Sequence, residues 1–193
     1  MYLRKLRIKD APFMLEWMHD KSVVENLQTD FARKTLADCE QFICNSQNDY
    51  SNLHIAIVDD NDEYMGTVSL KNLWDETAEF AIAIRKNAMG TGIASKAMED
   101  IINIGFEEKG LSSIYWCVSP ENKRAVRFYD KNGYHRVCPD ALKIFFWGGV
   151  QRVADSRVLL VPHHKRGKEE QNLRIKNRNK KVNTDILFLQ SVA

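Results

Sequence analysis

Short apolar stretches predict a series of β-strands along this chain. Apolar and charged side chains alternate at residues 2–8, which is typical of a strand with one face in water. Apolar runs with turn residues at their ends predict the remaining strands. These cover residues 53–58, 64–70, 78–84, 112–118 and 134–137, and a closing hairpin is expected over residues 144–161.

Apolar residues spaced three and four positions apart predict four helices between these strands. The first begins after Asp10, which we expect to cap it, with Pro12 in its first turn. The second covers residues 35–45, the third begins after Gly92, and the fourth covers residues 122–131. The element order β-α-α-β-β-β-α-β-α-β-β predicts an α/β domain with a mixed sheet.

Two glycines, Gly90 and Gly92, lie where the strand at residues 78–84 gives way to a helix. Glycine leaves the backbone N–H groups uncovered, and the start of a helix carries partial positive charge. Together these features are suited to holding a phosphate group. A plain helix start would account for the same two glycines, so the remaining motifs of the chain must decide between the alternatives.

The composition is that of an ordinary soluble globular protein. The 193 residues are 44% hydrophobic and 28% charged, enough for one domain with a sizeable core and an appendage. No apolar run approaches the roughly 20 residues that span a bilayer, so we expect no membrane contact. Charges are interleaved with the apolar residues of the N-terminus, which argues against a signal peptide.

Four cysteines lie apart from one another and form no metal-binding spacing. They predict reduced, mostly buried thiols of a cytoplasmic protein, with neither disulfides nor a metal. Cys117 lies on a predicted strand and could in principle carry an acetyl group. Its sequence neighbours include no histidine to activate it, so we expect it to serve packing only.

The net charge of +2 conceals a basic tail. Eight basic residues and three acidic ones follow Val161, so the rest of the chain is acidic. We therefore divide the chain into a domain at residues 1–161 and a basic extension at residues 162–193. Such charge runs are usually solvated and disordered, and we expect this one to be partly so. Contact with nucleic acid or the ribosome is the alternative role for the extension.

One motif in the second half of the chain resembles a known family. The pattern is Asn122-x-x-Ala125-x-x-x-Tyr129-x-Lys131-x-Gly133-Tyr134. It is similar to the later motif of the GCN5-related N-acetyltransferase (GNAT) superfamily. The glycine stretch resembles that family's acetyl-CoA pyrophosphate loop, written Gln/Arg-x-x-Gly-x-Gly/Ala. Aligning Gly90 and Gly92 with the family glycines puts Asn87 at the first position.

The resemblance covers about residues 1–161 and is closest to the RimJ/RimL-like branch. It implies a mixed, mostly antiparallel six- to seven-stranded sheet with helices on both faces. Two central parallel strands, at residues 81–84 and 114–118, would be splayed and would hold the pantetheine arm between them. The implied co-substrate is acetyl-CoA, without a metal. Homodimers are common in the family, so the resemblance also allows a homodimer here.

The resemblance also assigns the residues that would hold acetyl-CoA. A backbone N–H near Ile82 or Ala83 would polarise the acetyl carbonyl. Arg85 could add positive charge near the phosphates, unless it is an ordinary solvated strand end. Asn122 would bind the pantetheine or a water, unless it only caps its helix. The full set of cofactor-binding residues is Ile82, Ala83, Ile84, Met89, Gly90, Thr91, Gly92, Ile93, Ala94 and Asn122.

Two side chains are the candidates for proton transfer. Tyr129 would be the general acid that protonates the leaving thiolate, because a phenol keeps its proton at neutral pH. Glu79 would be the general base, acting directly or through a water, with Glu76 in reserve. Aromatic residues that could line the substrate pocket are Trp17, Phe31, Trp74 and the group at residues 145–147.

The sequence therefore predicts an N-acetyltransferase. It would transfer an acetyl group from acetyl-CoA to a primary amine, on a small molecule or a protein N-terminus, by direct transfer in a ternary complex. An alternative is a catalytically weak acyl-CoA-binding regulatory module, which would suit the departure at Asn87. A third hypothesis places the function in the basic extension, as a nucleic-acid-associated protein.

Overall fold

In the computed structural model of this protein, residues 1–27, 29–137 and 158–161 are described. The helices are α1 (Ala11–His19), α2 (Lys21–Val24), α3 (Leu36–Ser46), α4 (Ile93–Asn103) and α5 (Lys123–Lys131). The strands are β1 (Tyr2–Lys5), β2 (Leu53–Val58), β3 (Tyr64–Trp74), β4 (Thr77–Ile84), β5 (Ser113–Val118), β6 (His135–Val137) and β7 (Val158–Val161). The predicted element order is confirmed, with the one-turn helix α2 as an addition. Most of the predicted closing hairpin, residues 144–157, lies outside the described residues.

Within the described residues, the strands form one seven-stranded sheet in the order β1-β2-β3-β4-β5-β7-β6. Every neighbouring pair is antiparallel except β4 and β5, which are parallel. The β4–β5 pairing covers three residues of each strand and ends at Glu79 and Tyr115. Beyond that point the two strands diverge, and β5 pairs with β7 instead. The predicted mixed, mostly antiparallel sheet with splayed parallel strands is confirmed.

Helices cover both faces of the sheet, as predicted. The buried residues of α4 pack with alternate residues of β3, β4 and β5, and Tyr129 of α5 joins the same core. The buried residues of α1 and α3 form a second core on the opposite face. Trp17 and Phe31 belong to this second core, so their predicted place in a substrate pocket is not supported. Trp74, by contrast, is 81% exposed at the end of β3.

Asp10 occupies the N-cap position of α1, as predicted, but its side chain does not cap the helix. Residues Ile8–Asp10 form a 3₁₀ turn before α1, and the Asp10 side chain makes no cap hydrogen bond. It is buried instead, where it accepts two hydrogen bonds from the guanidinium of Arg4, both at 2.8 Å, and one from the backbone N–H of Arg7. The acidic side chain is thus used to pair a buried arginine of β1, which sequence spacing alone does not reveal. Pro12 does lie in the first turn of α1.

Among the described residues, no helix is long and apolar enough to cross a membrane. Three cysteines fall within this part of the chain. Cys39 is buried and Cys117 is half-buried, as expected, whereas Cys44 is exposed. Cys138 lies outside the described residues.

Candidate active site

The diverging end of β4 exposes backbone groups to the gap between β4 and β5. The N–H of Arg85 donates to the Met65 carbonyl of β3 at 2.9 Å. Because backbone N–H groups alternate between the two sides of a strand, the N–H of Ala83 also points toward β3. The N–H groups of Ile82 and Ile84 therefore face the gap. Of the two N–H groups that were candidates for polarising a carbonyl, that of Ile82 faces the gap. The N–H of Ala83 does not, so this corrects the assignment of Ala83.

The glycine loop follows directly from this open end. A 3₁₀ turn at Lys86–Ala88 leads to Gly90 and Gly92, whose φ angles are +80° and +88°. Positive φ is the conformation that glycine adopts without strain, which explains why the sequence has glycine at both positions. Gly92 is the N-cap of α4. The two glycines thus shape the entry to a helix, as the sequence predicts.

The start of α4 carries free backbone donors. Inside the helix, the N–H of Lys96 donates to the Gly92 carbonyl at 3.2 Å. The N–H groups of Ile93 and Ala94 precede this bond and belong to the unpaired first turn of the helix. The structure corrects the predicted role of Met89 in holding the cofactor, because its N–H donates to the Lys86 carbonyl at 3.2 Å and is not available to a ligand. The Thr91 hydroxyl donates to the Ala88 carbonyl at 2.7 Å, which stabilises the loop.

Both predictions for Arg85 are wrong. Its side chain is only 6% exposed, so it is not a solvated strand end. It donates to the Glu16 carboxylate of α1, at 2.8 and 3.1 Å, and to that of Glu63 at 2.7 Å. The Phe13 ring lies against the guanidinium at 4.5 Å, and the Tyr64 carbonyl accepts another hydrogen bond. This arginine joins α1 to the sheet, and the two glutamates neutralise its charge.

Tyr129 lies in the core on the α4 face of the sheet, against Trp116 of β5. It is 8% exposed, and its ring contacts those of Trp116, Phe128 and Tyr134 at centroid distances of 5.2–6.3 Å. Burial raises the pKa of Tyr129 above its ordinary value, so the phenol keeps its proton at neutral pH. A protonated phenol is what a general acid requires.

Asn122 is the N-cap of α5, and its side-chain oxygen accepts a hydrogen bond from the Ala125 N–H at 3.0 Å. Asn122 therefore does cap its helix, which is the structural role that the sequence left open for it. The cap uses the oxygen, so its amide nitrogen is the part that would bind a ligand. Because β4 and β5 are parallel, α4 and α5 both begin at the same end of the sheet.

Glu79 lies on the opposite face of the sheet from Tyr129, on the side of Ala81 and Ala83. Its carboxylate accepts hydrogen bonds from Lys71 Nζ at 3.2 Å and from Asn72 Nδ2 at 3.1 Å. Asn72 has a φ of +53°, at an irregularity in the β3–β4 pairing. This irregular point of β3 turns the amide of Asn72 toward Glu79.

Two further side chains on this face, Tyr115 and Cys117, are influenced by Glu79. Burial first, and then the negative charge of Glu79, raise the pKa of Tyr115 and that of Cys117. A raised pKa disfavours the thiolate, which agrees with the expectation that Cys117 is not a nucleophile. Glu76, the reserve base, is exposed in the turn before β4, so it lies farther from the gap than Glu79.

Sequence reasoning missed a histidine on the same face. His54 Nδ1 lies 2.8 Å from Ser69 Oγ, and Ser69 pairs with Ala81 of β4. The His54 ring also contacts Phe42 of α3, with centroids 4.8 Å apart. Burial lowers the pKa of His54, so its imidazole is neutral at pH 7. This pair depends on strand register, for which the sequence carries no local signal.

Within the described ranges, no three histidine, cysteine or acidic side chains are grouped to hold a metal ion. The functional groups that the residues above offer are backbone donors, a buried phenol and a hydrogen-bonded carboxylate.

Comparisons with known proteins agree with this geometry. A sequence model described as "Acetyltransferase (GNAT) domain" matches residues 1–135. The chain is 28% identical over 139 residues to the uncharacterised N-acetyltransferase p20 of Bacillus licheniformis, covering 69% of this chain and 78% of that protein. It is 25% identical over 147 residues to aminoglycoside N(6')-acetyltransferase type 1 of Klebsiella pneumoniae, covering 69% of this chain and 73% of that protein.

Solved structures show the same fold. Spermidine N-acetyltransferase from Vibrio cholerae, in complex with CoA and spermine, matches with a TM-score of 0.64 and 20% identity, over 83% of this chain and 92% of that chain. A PaiA N-acetyltransferase from Thermoplasma acidophilum, in complex with coenzyme A, matches with a TM-score of 0.62 and 16% identity, over 84% of this chain and 98% of that chain. At these identities the likeness is one of fold.

Proposed function

The chain belongs to the GNAT family of acetyltransferases, and we propose that it acetylates a primary amine by direct transfer within a ternary complex. Family membership makes it an N-acetyltransferase that uses acetyl-CoA as co-substrate. The proposal concerns the site and the roles of its residues. The observation that carries it is the gap between β4 and β5, which opens beside the unpaired first turn of α4.

The gap connects the two faces of the sheet. One face carries the first turn of α4 and, in the same core, Tyr129 of α5, and this face would take a phosphate-bearing thioester. On the other face, Glu79 lies beside the small residues Ala81 and Ala83, which leave room for an amine. A thioester held in the gap could thus be attacked from the opposite face without an acetyl-enzyme intermediate.

The proposal assigns a residue to each step. Glu79 would take a proton from the ammonium, directly or through a water, so that the neutral amine attacks the acetyl carbon. The N–H of Ile82 would stabilise the oxyanion that forms. As the new C–N bond forms and the C–S bond breaks, Tyr129 would give its proton to the departing thiolate. Asn122 would hold the pantetheine by its amide nitrogen.

The direct test is release of free coenzyme A thiol from acetyl-CoA by the full chain, with a panel of amines. The panel should hold a polyamine, an aminoglycoside and a peptide with a free N-terminus, because spermidine and aminoglycoside acetyltransferases are among the similar proteins. Turnover with any of these amines supports the proposal. Tight binding of acetyl-CoA without turnover would favour the regulatory-module alternative.

The roles predict the effects of two substitutions. Tyr129→Phe should lower kcat about 100-fold or more while the KM for acetyl-CoA stays the same, since general acids contribute about 10²–10⁴-fold. Tyr134→Phe is the matched control, because it removes a hydroxyl from the same aromatic cluster. Glu79→Gln should lower kcat/KM for the amine by a similar factor. Full activity in both Tyr129→Phe and Glu79→Gln would contradict the assignment.

We further propose that the acetyltransferase domain extends to Val161, because β7 pairs with both β5 and β6. Reduced thiols such as Cys39 suit a cytoplasmic protein, which is the location that we propose. The RimJ/RimL-like branch, a homodimer, and nucleic-acid contact through residues 162–193 stay predictions from the sequence.

A further inference from the structure

A side chain of α5 reaches the glycine loop. Arg124 lies in the first turn of α5, and its Nη1 atom is 2.9 Å from the sulfur of Met89. Met89 directly precedes Gly90 and is half-buried between the two cores. This contact places an exposed guanidinium beside the loop and the start of α4.

The loop itself lacks the glutamine or arginine that begins the family's pattern. With Gly90 and Gly92 as the pattern glycines, the first position is Asn87. The pattern also fits two residues later, as Met89-x-x-Gly92-x-Ala94, and that register puts Gly92 at the N-cap of α4 and Ala94 in its first turn. In neither register does the first position carry a charge. A pyrophosphate bound there would meet backbone donors without a neighbouring cation from the loop.

The basic side chains of the loop and of α4 are already paired with carboxylates. Arg85 pairs with two glutamates. Lys96 lies 2.7 Å from the Asp100 carboxylate, and Lys86 lies 3.8 Å from that of Asp20. In the part of the chain that the structure describes, no carboxylate lies within ion-pair distance of Arg124. Its contact with a neutral sulfur is weak, because a thioether is a poor acceptor.

We propose that Arg124 binds the pyrophosphate of acetyl-CoA and supplies the positive charge that the glycine loop lacks. This inference rests on the proposed function of the same site. The guanidinium would leave the Met89 sulfur and donate to phosphate oxygens, which arginine can bind through two parallel hydrogen bonds. The phosphate would then lie between the first turns of α4 and α5.

The test measures dissociation constants by calorimetry with the full chain, using coenzyme A and 3′-dephospho-coenzyme A as probes. Arg124→Gln should weaken binding of both probes about 10-fold or more, since charge-assisted hydrogen bonds are the strong ones. The affinity of Arg124→Lys for both probes should lie between those of Arg124→Gln and the wild type. Lysine keeps the positive charge but cannot form the two parallel hydrogen bonds of arginine. Arg127→Gln, with the same charge change one turn further along α5, should bind like the wild type.

Each contrary outcome is distinct. Equal affinity of Arg124→Gln and the wild type for coenzyme A would overturn the assignment while leaving the proposed function intact. A loss seen with coenzyme A and absent with 3′-dephospho-coenzyme A would mean that Arg124 contacts the 3′-phosphate, which also overturns the pyrophosphate assignment. Failure of the wild type to bind either probe would overturn the proposed function itself.

Discussion

The two halves of β4 differ in how their backbone groups are used. In the first half, Thr77–Glu79, the strand is paired with β3 on one side and with β5 on the other. In the second half, residues 80–84, the pairing with β3 continues, whereas that with β5 has ended. The same strand is thus an interior strand at its start and an open edge at its end.

This difference shows where the polarity of the site comes from. The side chains of the open half are apolar, so the gap has no charged group of its own on β4. Its hydrogen-bonding capacity lies in unpaired backbone groups, which an exposed sheet edge offers to an extended ligand. The first half contributes through a side chain, Glu79, which neighbouring residues hold in place. One half would bind the thioester, and the other would serve the amine.

The sharpest test of this contrast removes one backbone N–H at a time. Replacing the amide of Ile82 by an ester keeps the side chain and deletes the donor that faces the gap. Loss of one oxyanion donor costs about 10²–10³-fold in kcat, and we expect a fall of that size. Steady-state kinetics with the wild-type protein alongside would measure it.

The matched control is the same ester at Ala83, whose N–H points toward β3. This variant should lose about 0.5–1.5 kcal/mol in the free energy of unfolding, as for one ladder hydrogen bond, with little change in kcat. If the two esters had equal effects on kcat, the distinction between the two sides of β4 would be wrong.

A second prediction concerns Arg85, the residue that ends the open half. Arg85→Met should lower the free energy of unfolding by about 1–3 kcal/mol, because a buried hydrogen-bonded group is lost. Affinity for coenzyme A should change far less than in Arg124→Gln, since the Arg85 charge is neutralised by Glu16 and Glu63. Urea denaturation and calorimetry would check both parts. A variant as stable as the wild type that had lost affinity for coenzyme A would restore the phosphate role once expected for Arg85.

These contrasts show which features the sequence could predict. The strands, the helices and the glycine loop depend on local patterns, and the structure confirms all of those that fall within the described residues. The positive φ angles of Gly90 and Gly92 are an example, because the need for glycine is set by the turn itself. The splay of β4 and β5 came from the family resemblance and not from the residues of either strand.

The failures share a different cause. Asp10 pairs with Arg4, six positions earlier on β1, and not with the helix that follows it. Arg85 pairs with residues that the fold brings from far along the chain. Arg85 meets Glu16 across 69 positions of the chain. The contact between Arg124 and Met89 likewise depends on two helices beginning at one end of the sheet. Local spacing carries no information about such partners, so they appear only once the fold is known.

The smallest expected effect concerns His54, which lies on the amine-facing side of the sheet, two strands from β4. Burial lowers its pKa in the folded protein below the ordinary value of about 6.5, whereas the unfolded chain keeps that value. The unfolded state therefore binds more protons as the pH falls below about 6.5, and the free energy of unfolding should decrease there. One proton limits the slope to about 1.4 kcal/mol per pH unit, and solvent screening reduces it.

Urea denaturation between pH 5 and 8 would measure the contribution of His54. His54→Gln can still bond the Ser69 hydroxyl and carries no titrating group, so its stability should change less with pH than that of the wild type. His19→Gln, at an exposed histidine, is the control and should keep the wild-type slope. The carboxylates whose pKa is lowered, such as those of Asp38 and Asp49, take up protons only below about pH 4. They therefore do not change the free energy of unfolding between pH 5 and 8. An unchanged slope in His54→Gln would mean that water reaches this imidazole freely, and the amine-facing side beside the gap would then be more open than its contacts with Ser69 and Phe42 indicate.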